Sequence, residues 1–415
     1  DTAYSRDLDQ TIFYSDYGVT QSDSICCREQ LYDVHAKANE KGYKVFADYG
    51  AKYYIASVGR SVIINTDVEW GNAQFTIDDS EVTPDKRGNW IFTLLERTDL
   101  AYNIDTIKTL DRNMTNLGVT FPQSSIVTFY DDKSTHYVRY GGNADNGQSK
   151  RDSVVVDKNG NIDMDAPLMW DFDNITLISV LPIEEETRYI SGGIFTTIAN
   201  QAPSEYTYYA RGLKINRSNT VLCGMKHYIT GEGPTGAPYN GFLSINNCAY
   251  VTVKNCIFTG HKTYQSPTTA MGSYDIGMAN AISVFFIDCY QANDINDSKY
   301  WGVSGTNYCK NFVYDSCILS RFDAHAGVYN AKIINSHVVH FRIIGGGTLV
   351  LENSTIYNNL LISLREDYGA TWNGDVYIDG LTLKSSFETT LVSIFKVFYT
   401  NHYFGYTCYL PQKIE

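Results

Sequence analysis

The chain has little charge and little proline. Charged residues fill 19% of its 415 positions against 43% hydrophobic, and only nine residues are proline; that balance belongs to a folded chain with an uncharged core and not to a disordered one. Positive charge is scarcer still. The formal net charge is −13 with no basic cluster to offset it, which argues against nucleic acid or an anionic membrane as partner. A polyanionic ligand would have to be met by a local positive group or a metal. No run approaches the roughly 18 apolar residues of a membrane span, so no insertion is expected. The opening DTAYSRDLDQ lacks the pattern of a signal peptide, as it would if the numbering began at a processed or excised end. Cysteine is present but unpaired by pattern: there are nine, an odd number, with no CxxC, which points to free thiols over bridges or zinc ligands. No GxSxG or HExxH motif occurs. The glycine-rich GEGPTGAPYNG, Gly231 to Gly241, has no lysine or Ser/Thr in phosphate-loop order and reads as a turn near Glu232. DKNGNIDMD has calcium-loop-like spacing but no glutamate at the twelfth position. What the chain has in plenty is tyrosine, 33 in all.

From Gly241 to His325 one short apolar strand is written three times. YVTVKNC ends at Cys256, SVFFIDC at Cys289 and NFVYDSC at Cys317; AKIINS and LVLENS follow, ending at Ser336 and Ser354, and TVLCGMK precedes, ending at Lys226. The spacings of 30, 33, 28, 19 and 18 residues converge on a repeat of about 18 to 20, the regime of coiled solenoids. A second column eight positions earlier, Cys248, Ala281 and Cys309, is also small, as an interior ladder requires when each coil packs only on its neighbours. Each copy alternates apolar and polar residues, is rich in β-branched residues and is bounded by Gly or Asn, so it reads as strand. Parallel strands of successive coils stack about 4.8 Å apart, making residues at equal offsets spatial neighbours.

That register gathers polar residues into a stripe. Offset six from each mark gives Glu232, Lys262 beside His261, Ile295 flanked by Asp294 and Asn296, Asp323, and Arg342. Offsets four and eight add Asp297, Arg321, His325 and His340. Turn residues of a solenoid are polar in any case, so the stripe is read beside that plainer account. The intervals after Cys256 and Cys289 carry insertions holding Tyr264, Tyr274, Tyr300 and Trp301, and aromatic faces are what sugar rings stack on. The expected catalytic set is Asp294, Asp323, Glu232, Asp297 and His325. Substrate binding falls to His261, Lys262, Arg321, Trp301, Tyr300, Tyr264 and Arg342.

Near the start, Ser22 or Asp23 can cap a helix with Cys27, Leu31, Val34 and Ala38 on one face and Gly42 as its stop. The pieces SDYG, QSDS, that helix, and VFADYGAKYYI together resemble the opening of the pectate-lyase-like superfamily of right-handed parallel β-helices. In this chain the acidic pair is reduced to Asp23, and Ala47 and Asp48 stand near the usual proline. The resemblance implies an all-β, single-stranded right-handed parallel β-helix with a short N-terminal capping helix. The expected divisions are a cap over 1–60, the β-helix over 61–385, and a C-terminal cap or oligomer contact over 386–415. The stretch from Ser61 to Tyr140 is expected to form early, wide coils with protruding loops and no separate domain, DSVVVDKNGNID a hairpin turning at Lys158, Asn159 and Gly160, and the regular coils to begin near Ile175 with ITLISVLP.

Such openings occur in secreted bacterial enzymes and in phage tailspikes and appendages. Resemblance to the latter implies a virion tail or appendage, a homotrimer, and a bacterial surface polysaccharide (capsule, exopolysaccharide or teichoic acid) as partner. On the residues, carboxylate-assisted hydrolysis is favoured, because adjacent or next-adjacent coils place carboxyls at the separations of about 5 Å or about 6.5 to 9.5 Å that retaining and inverting glycosidases use. A lyase would instead take His261, Lys262, Arg321 or His325 as base beside a cation; phosphodiester cleavage would use His261 and His325. No cofactor is required and no metal site is assigned, although a divalent cation would serve a lyase. A secreted bacterial lyase or hydrolase, with an extracellular setting, and a non-catalytic receptor-binding module are the alternatives.

Overall fold

The computed structural model describes residues 10–95, 106–202, 208–233, 239–262, 273–385, 392–398 and 400–415. The helix Arg28–Lys41 buries Leu31, Val34 and Ala38 and ends at Gly42, whose left-handed φ of 69° lets its N–H reach the Ala38 carbonyl. Its N-cap is Cys27, without a side-chain cap. Ser22 does not cap the helix: its hydroxyl accepts from the N–H groups of Ser24 and Ile25, closing the turn before the helix instead.

Among the described residues, twenty-six strands form one sheet whose neighbours pair in parallel and which winds coil upon coil. The fold is a right-handed parallel β-helix. Alternation along each strand sends one set of side chains inward, and equal offsets stack: Val253, Phe286, Tyr314, Ile333, Leu351 and Ile378 form one register column. All but the last are fully buried, each stabilising the fold by roughly 1.5–3 kcal/mol of apolar transfer.

The cysteine mark holds. Tyr290, Ile318, His337 and Thr355 donate from their backbone N–H to the carbonyls of Cys256, Cys289, Cys317 and Ser336, and all four of these residues are buried. The physical basis is the residue before each mark. Gly224, Asn255, Asp288, Ser316, Asn335, Asn353 and Gly380 all have positive φ, between 47° and 72°. Each makes a corner in the one conformation that Gly, Asn and Asp tolerate best, and the next side chain turns into a narrow interior angle that suits Cys or Ser. One mark shifts: Ile257 donates to Met225, so Met225 and not Lys226 stands under Cys256, because the corner glycine Gly224 fixes the register.

The region before the regular coils differs from its expected form. Ser125–His136, Gln148–Val156 and Leu177–Pro182 make a separate three-stranded antiparallel sheet with its own core, including Val127, Phe129, Val154, Val156, Leu168 and Phe172. ITLISVLP therefore supplies the third strand of this insertion and not the first regular coil; that coil strand is Arg188–Ile198, paired with Val68–Asp78. Short alternating strands look alike in either sheet, and only the pairing partner distinguishes them. The expected hairpin is there, with Val156 bridged to Ile162, and Asp157 accepts the N–H groups of Asn159 and Asn161. The insertion rests on the coils through Ile126, Val155, Ala166 and Ile183 against Ala249 and Ile282, and through the buried Lys310–Asp152 pair at 2.5 Å. At the far end Lys413–Ile414 adds a parallel strand to Trp372–Asp379, covering part of the last coil's edge.

Candidate functional site

Two polar networks are built across successive coils. The first begins on an inward position: Phe195 and His227 share a register column, so an imidazole replaces a core ring and stacks on Phe242 with centroids 3.8 Å apart. Its Nδ1 lies 2.7 Å from Asp275 Oδ1 and its Nε2 2.9 Å from Thr197 Oγ1. Asp275 also takes the Thr259 N–H at 2.9 Å and lies 3.3 Å from His261 Nε2. The other nitrogen of His261 is 3.0 Å from Glu232 Oε1. Both nitrogens of this buried ring thus face carboxylates, which only the doubly protonated imidazolium satisfies. Burial lowers the His261 pKa, but the hydrogen bonds to Asp275 and Glu232 outweigh it and raise it to about 9. Burial likewise opposes Asp275 ionisation, and the two imidazoles overcome it, taking the carboxyl down to about 2. Glu232 Oε2 accepts the Lys262 backbone N–H at 3.1 Å, and Lys262 Nζ donates to the Glu232 carbonyl at 2.7 Å. Glu232 and Lys262 line a cleft of about 400 Å³ with Tyr228, Thr259, Asn293 and Tyr300.

The second network centres on Asp323, 1% exposed. Arg365 Nη1 donates to Oδ1 at 2.5 Å; Oδ2 takes the Tyr274 hydroxyl at 2.9 Å, with Arg321 Nη1 at 3.4 Å and His325 Nε2 at 3.5 Å. Burial opposes the charge, yet Arg365, His325 and Arg321 hold the carboxyl well below the usual range. Asp323 is therefore a fixed anion, unsuited to donating a proton and closed to a ligand. His325 is the reachable member, its side chain 32% exposed. It faces a groove of about 260 Å³ shared with Tyr274, Ser244, Asn246 and Asn307. The floor follows from register: Ser244, Gly277, Gly305 and Asp323 align on successive coils. A Cβ at Gly305 would stand 3.2 Å from the Tyr274 ring, so the bare backbone lets that ring settle where its hydroxyl meets Asp323.

Trp301 joins the two networks. Its backbone N–H donates to the His261 carbonyl at 2.7 Å, its own carbonyl accepts from Arg321 Nε at 3.0 Å, and the Arg321 guanidinium lies 4.0 Å from the indole centre. One ring face is therefore taken by Arg321.

Of the residues expected from sequence, the structure brings Glu232, His261 and Lys262 together beside Tyr300, and Asp323, Arg321 and His325 together beneath the groove. Arg342 pairs with Glu366 at 3.2 Å and Asp367 at 3.7 Å, at the outer edge of the second network. Asp294 and Asp297 sit in the turn between Asn293 and Tyr300, accepting the backbone N–H groups of Asn296 and Lys299 at 2.9 Å each. Tyr264 lies outside the described residues. Sequence reasoning missed His227, Asp275 and Arg365, and counted Tyr274 only as an aromatic of the insertions. A histidine at an inward strand position, and an aspartate opening the apolar strand Tyr274–Ile287, were the available signals.

No family model and no characterised protein sequence matches the chain. Solved structures do match. The tailspike of Acinetobacter baumannii bacteriophage AP22, solved with a capsular saccharide, is 13% identical with a TM-score of 0.44, the match covering 94% of this chain and 66% of that one. The tailspike gp49 of Pseudomonas phage LKA1 is 12% identical with a TM-score of 0.48, over 90% and 71%. A mutant tailspike of E. coli bacteriophage HK620, solved with a pentasaccharide, is 9% identical with a TM-score of 0.50, over 94% and 60%. This chain thus spans 60 to 71% of the length of those three. In fold, it is similar to the parallel β-helices of phage tailspikes.

Proposed function

We propose that the chain binds a bacterial surface polysaccharide (capsule, exopolysaccharide or teichoic acid) as part of a phage tailspike or appendage, and that it cleaves this polymer by carboxylate-assisted hydrolysis. The observation that carries the reading is Glu232: it lines an open cleft while its two oxygens are held by His261 and by the Lys262 N–H. The Glu232 side chain is 7% exposed, so its carboxylate is held in one orientation at the cleft wall, as a base or nucleophile must be. The turn of Asp294 and Asp297 adjoins Asn293 and Tyr300 on the same cleft and brings a second carboxyl to its edge, with Asp294 the first candidate. Asp323 is a positioning residue, orienting Tyr274 and His325. Tyr300 and the Asn-lined groove supply ring and hydroxyl contacts. The pentasaccharide held by the HK620 tailspike supports a saccharide partner; the homotrimer is proposed only from the resemblance at the opening of the chain.

The test is incubation with purified capsules, teichoic acid and pectin. New reducing ends report hydrolysis, ultraviolet absorbance of unsaturated ends a lyase, and released phosphate a phosphodiesterase. Reducing ends that vanish in Glu232→Gln and in Asp294→Asn are the expected result. Unsaturated ends would move the chemistry to the Tyr274–His325 groove, where a proton could be taken beside a uronate carboxylate. Binding to cells without any product would leave a receptor-binding module.

A further inference from the structure

The SDYG and ADYG turns meet around a cleft of about 560 Å³, which lies on the first coils, away from both networks. Phe13 and Phe46 stack there with centroids 5.2 Å apart and planes 25° from parallel. Tyr49 stands beside them 93% exposed, an aromatic ring kept in water with nothing packed on it. Its turn is nonetheless rigid. Asp48 accepts from the Ser15 hydroxyl at 2.6 Å and the Tyr53 hydroxyl at 3.0 Å, and Asn72 Oδ1 accepts the Gly50 N–H at 2.7 Å. Those bonds fix the backbone on both sides of Tyr49, so the ordering needed on meeting a ligand is confined to its side-chain torsions. Asp16 and the Asn72 amide complete the rim.

We infer that this cleft is a second saccharide-binding site, one that holds a neutral sugar unit between Tyr49 and the Phe13–Phe46 pair without cleaving it. Flat apolar rings flanked by planar carboxylate and amide groups match a pyranose, whose C–H faces are apolar and whose hydroxyls ring the edge. Sign selects the class: the cleft is lined by Asp16, Asp48 and Glu69, and the nearby cation Lys44 is already paired with Glu69 at 3.2 Å. Uronates and phosphate-bearing sugars would be repelled. A non-catalytic site on the same rod would keep a long polymer attached while the cleft at Glu232 works along it.

The experiment is binding of the intact chain and its variants to an array of bacterial surface glycans, with maltohexaose, chitohexaose and hexagalacturonate as defined probes. At least one neutral saccharide should bind about tenfold more weakly to Tyr49→Ala, the upper end of what one ring contact contributes. Hexagalacturonate binding should be indifferent to Tyr49. Because Tyr49 is solvent-exposed, an unchanged melting temperature is expected for Tyr49→Ala. An array on which no neutral saccharide depends on Tyr49 overturns the site, and Tyr49-dependent binding confined to acidic glycans overturns its class. Neither outcome touches cleavage at Glu232, which is read separately from reducing ends.

Discussion

The two networks bury carboxylates equally well and do so with different cations. Asp275 is met by His227 and His261, Asp323 by Arg365 and Arg321. An imidazole can release its proton, His261 as pH rises toward about 9, and a guanidinium does not. The histidine network can therefore exchange protons with whatever lies in the Glu232 cleft, whereas the arginine network is a permanent electrostatic clamp. Chemistry belongs with the first and positioning with the second.

The sharpest way to break that division is Glu232→Gln. Losing a carboxylate that works in the transition state should lower turnover by about 10²- to 10⁴-fold, with the fold intact because Gln keeps the shape and one of the two acceptor oxygens. Progress curves of reducing ends check this. Wild-type turnover in the variant would remove the cleft from the mechanism.

Next come the two buried aspartates, compared as alanine variants by denaturant unfolding. Asp323→Ala strands Arg321 and loosens Arg365, 6% and 3% exposed, and removing one partner of a buried pair costs about 3–5 kcal/mol. Asp275→Ala should cost less, about 1–3 kcal/mol, since His261 keeps Glu232 as a partner and can shed its charge. Equal losses, or the reverse order, would mean that the cation type does not set the energetics.

The histidine network should also respond to pH where the arginine network does not. The His261 pKa stands at about 9 against an ordinary value near 6.5. A raised folded pKa adds stability in full below about pH 6.5, and that stability is lost as pH rises through about 9. The contribution is on the order of 3 kcal/mol. Unfolding midpoints measured from pH 6 to pH 10 should fall across that window in the wild type and stay nearly level in His261→Gln. A slope that survives the substitution would place the titration elsewhere.

Legibility in the sequence followed the same physics. The coil register from Cys256 to Ser354 was readable because corners force small residues after left-handed ones, a constraint each coil repeats. The earlier mark slipped to Lys226 because Gly224 and Met225 do not look like Asn and Cys. Glu232, His261 and Lys262 were found by offset, and Arg321, Asp323 and His325 likewise. Asp275 and His227 were not, because they point into the coil and not along the polar stripe. Arg365 reaches Asp323 across 42 residues, a separation the repeat does not encode. The antiparallel insertion escaped for a related reason: its strands alternate as coil strands do, and pairing direction leaves no mark on composition.

The smallest effect is expected far from both networks and calibrates the comparison. Asn335 has φ of 51°, donates its backbone N–H to the Glu352 carbonyl at 3.0 Å, and touches Asp315 with its amide at 3.2 Å. Alanine there keeps the backbone bond but must hold a left-handed conformation, at about 1 kcal/mol; glycine holds it freely and gives up only the exposed amide contact. Asn335→Ala should therefore lower stability by about 1 kcal/mol, and Asn335→Gly by a few tenths or less. If both variants lose the same amount, the amide contact and not the backbone sets the corner, and the explanation of the Asn–Cys and Asn–Ser marks fails with it.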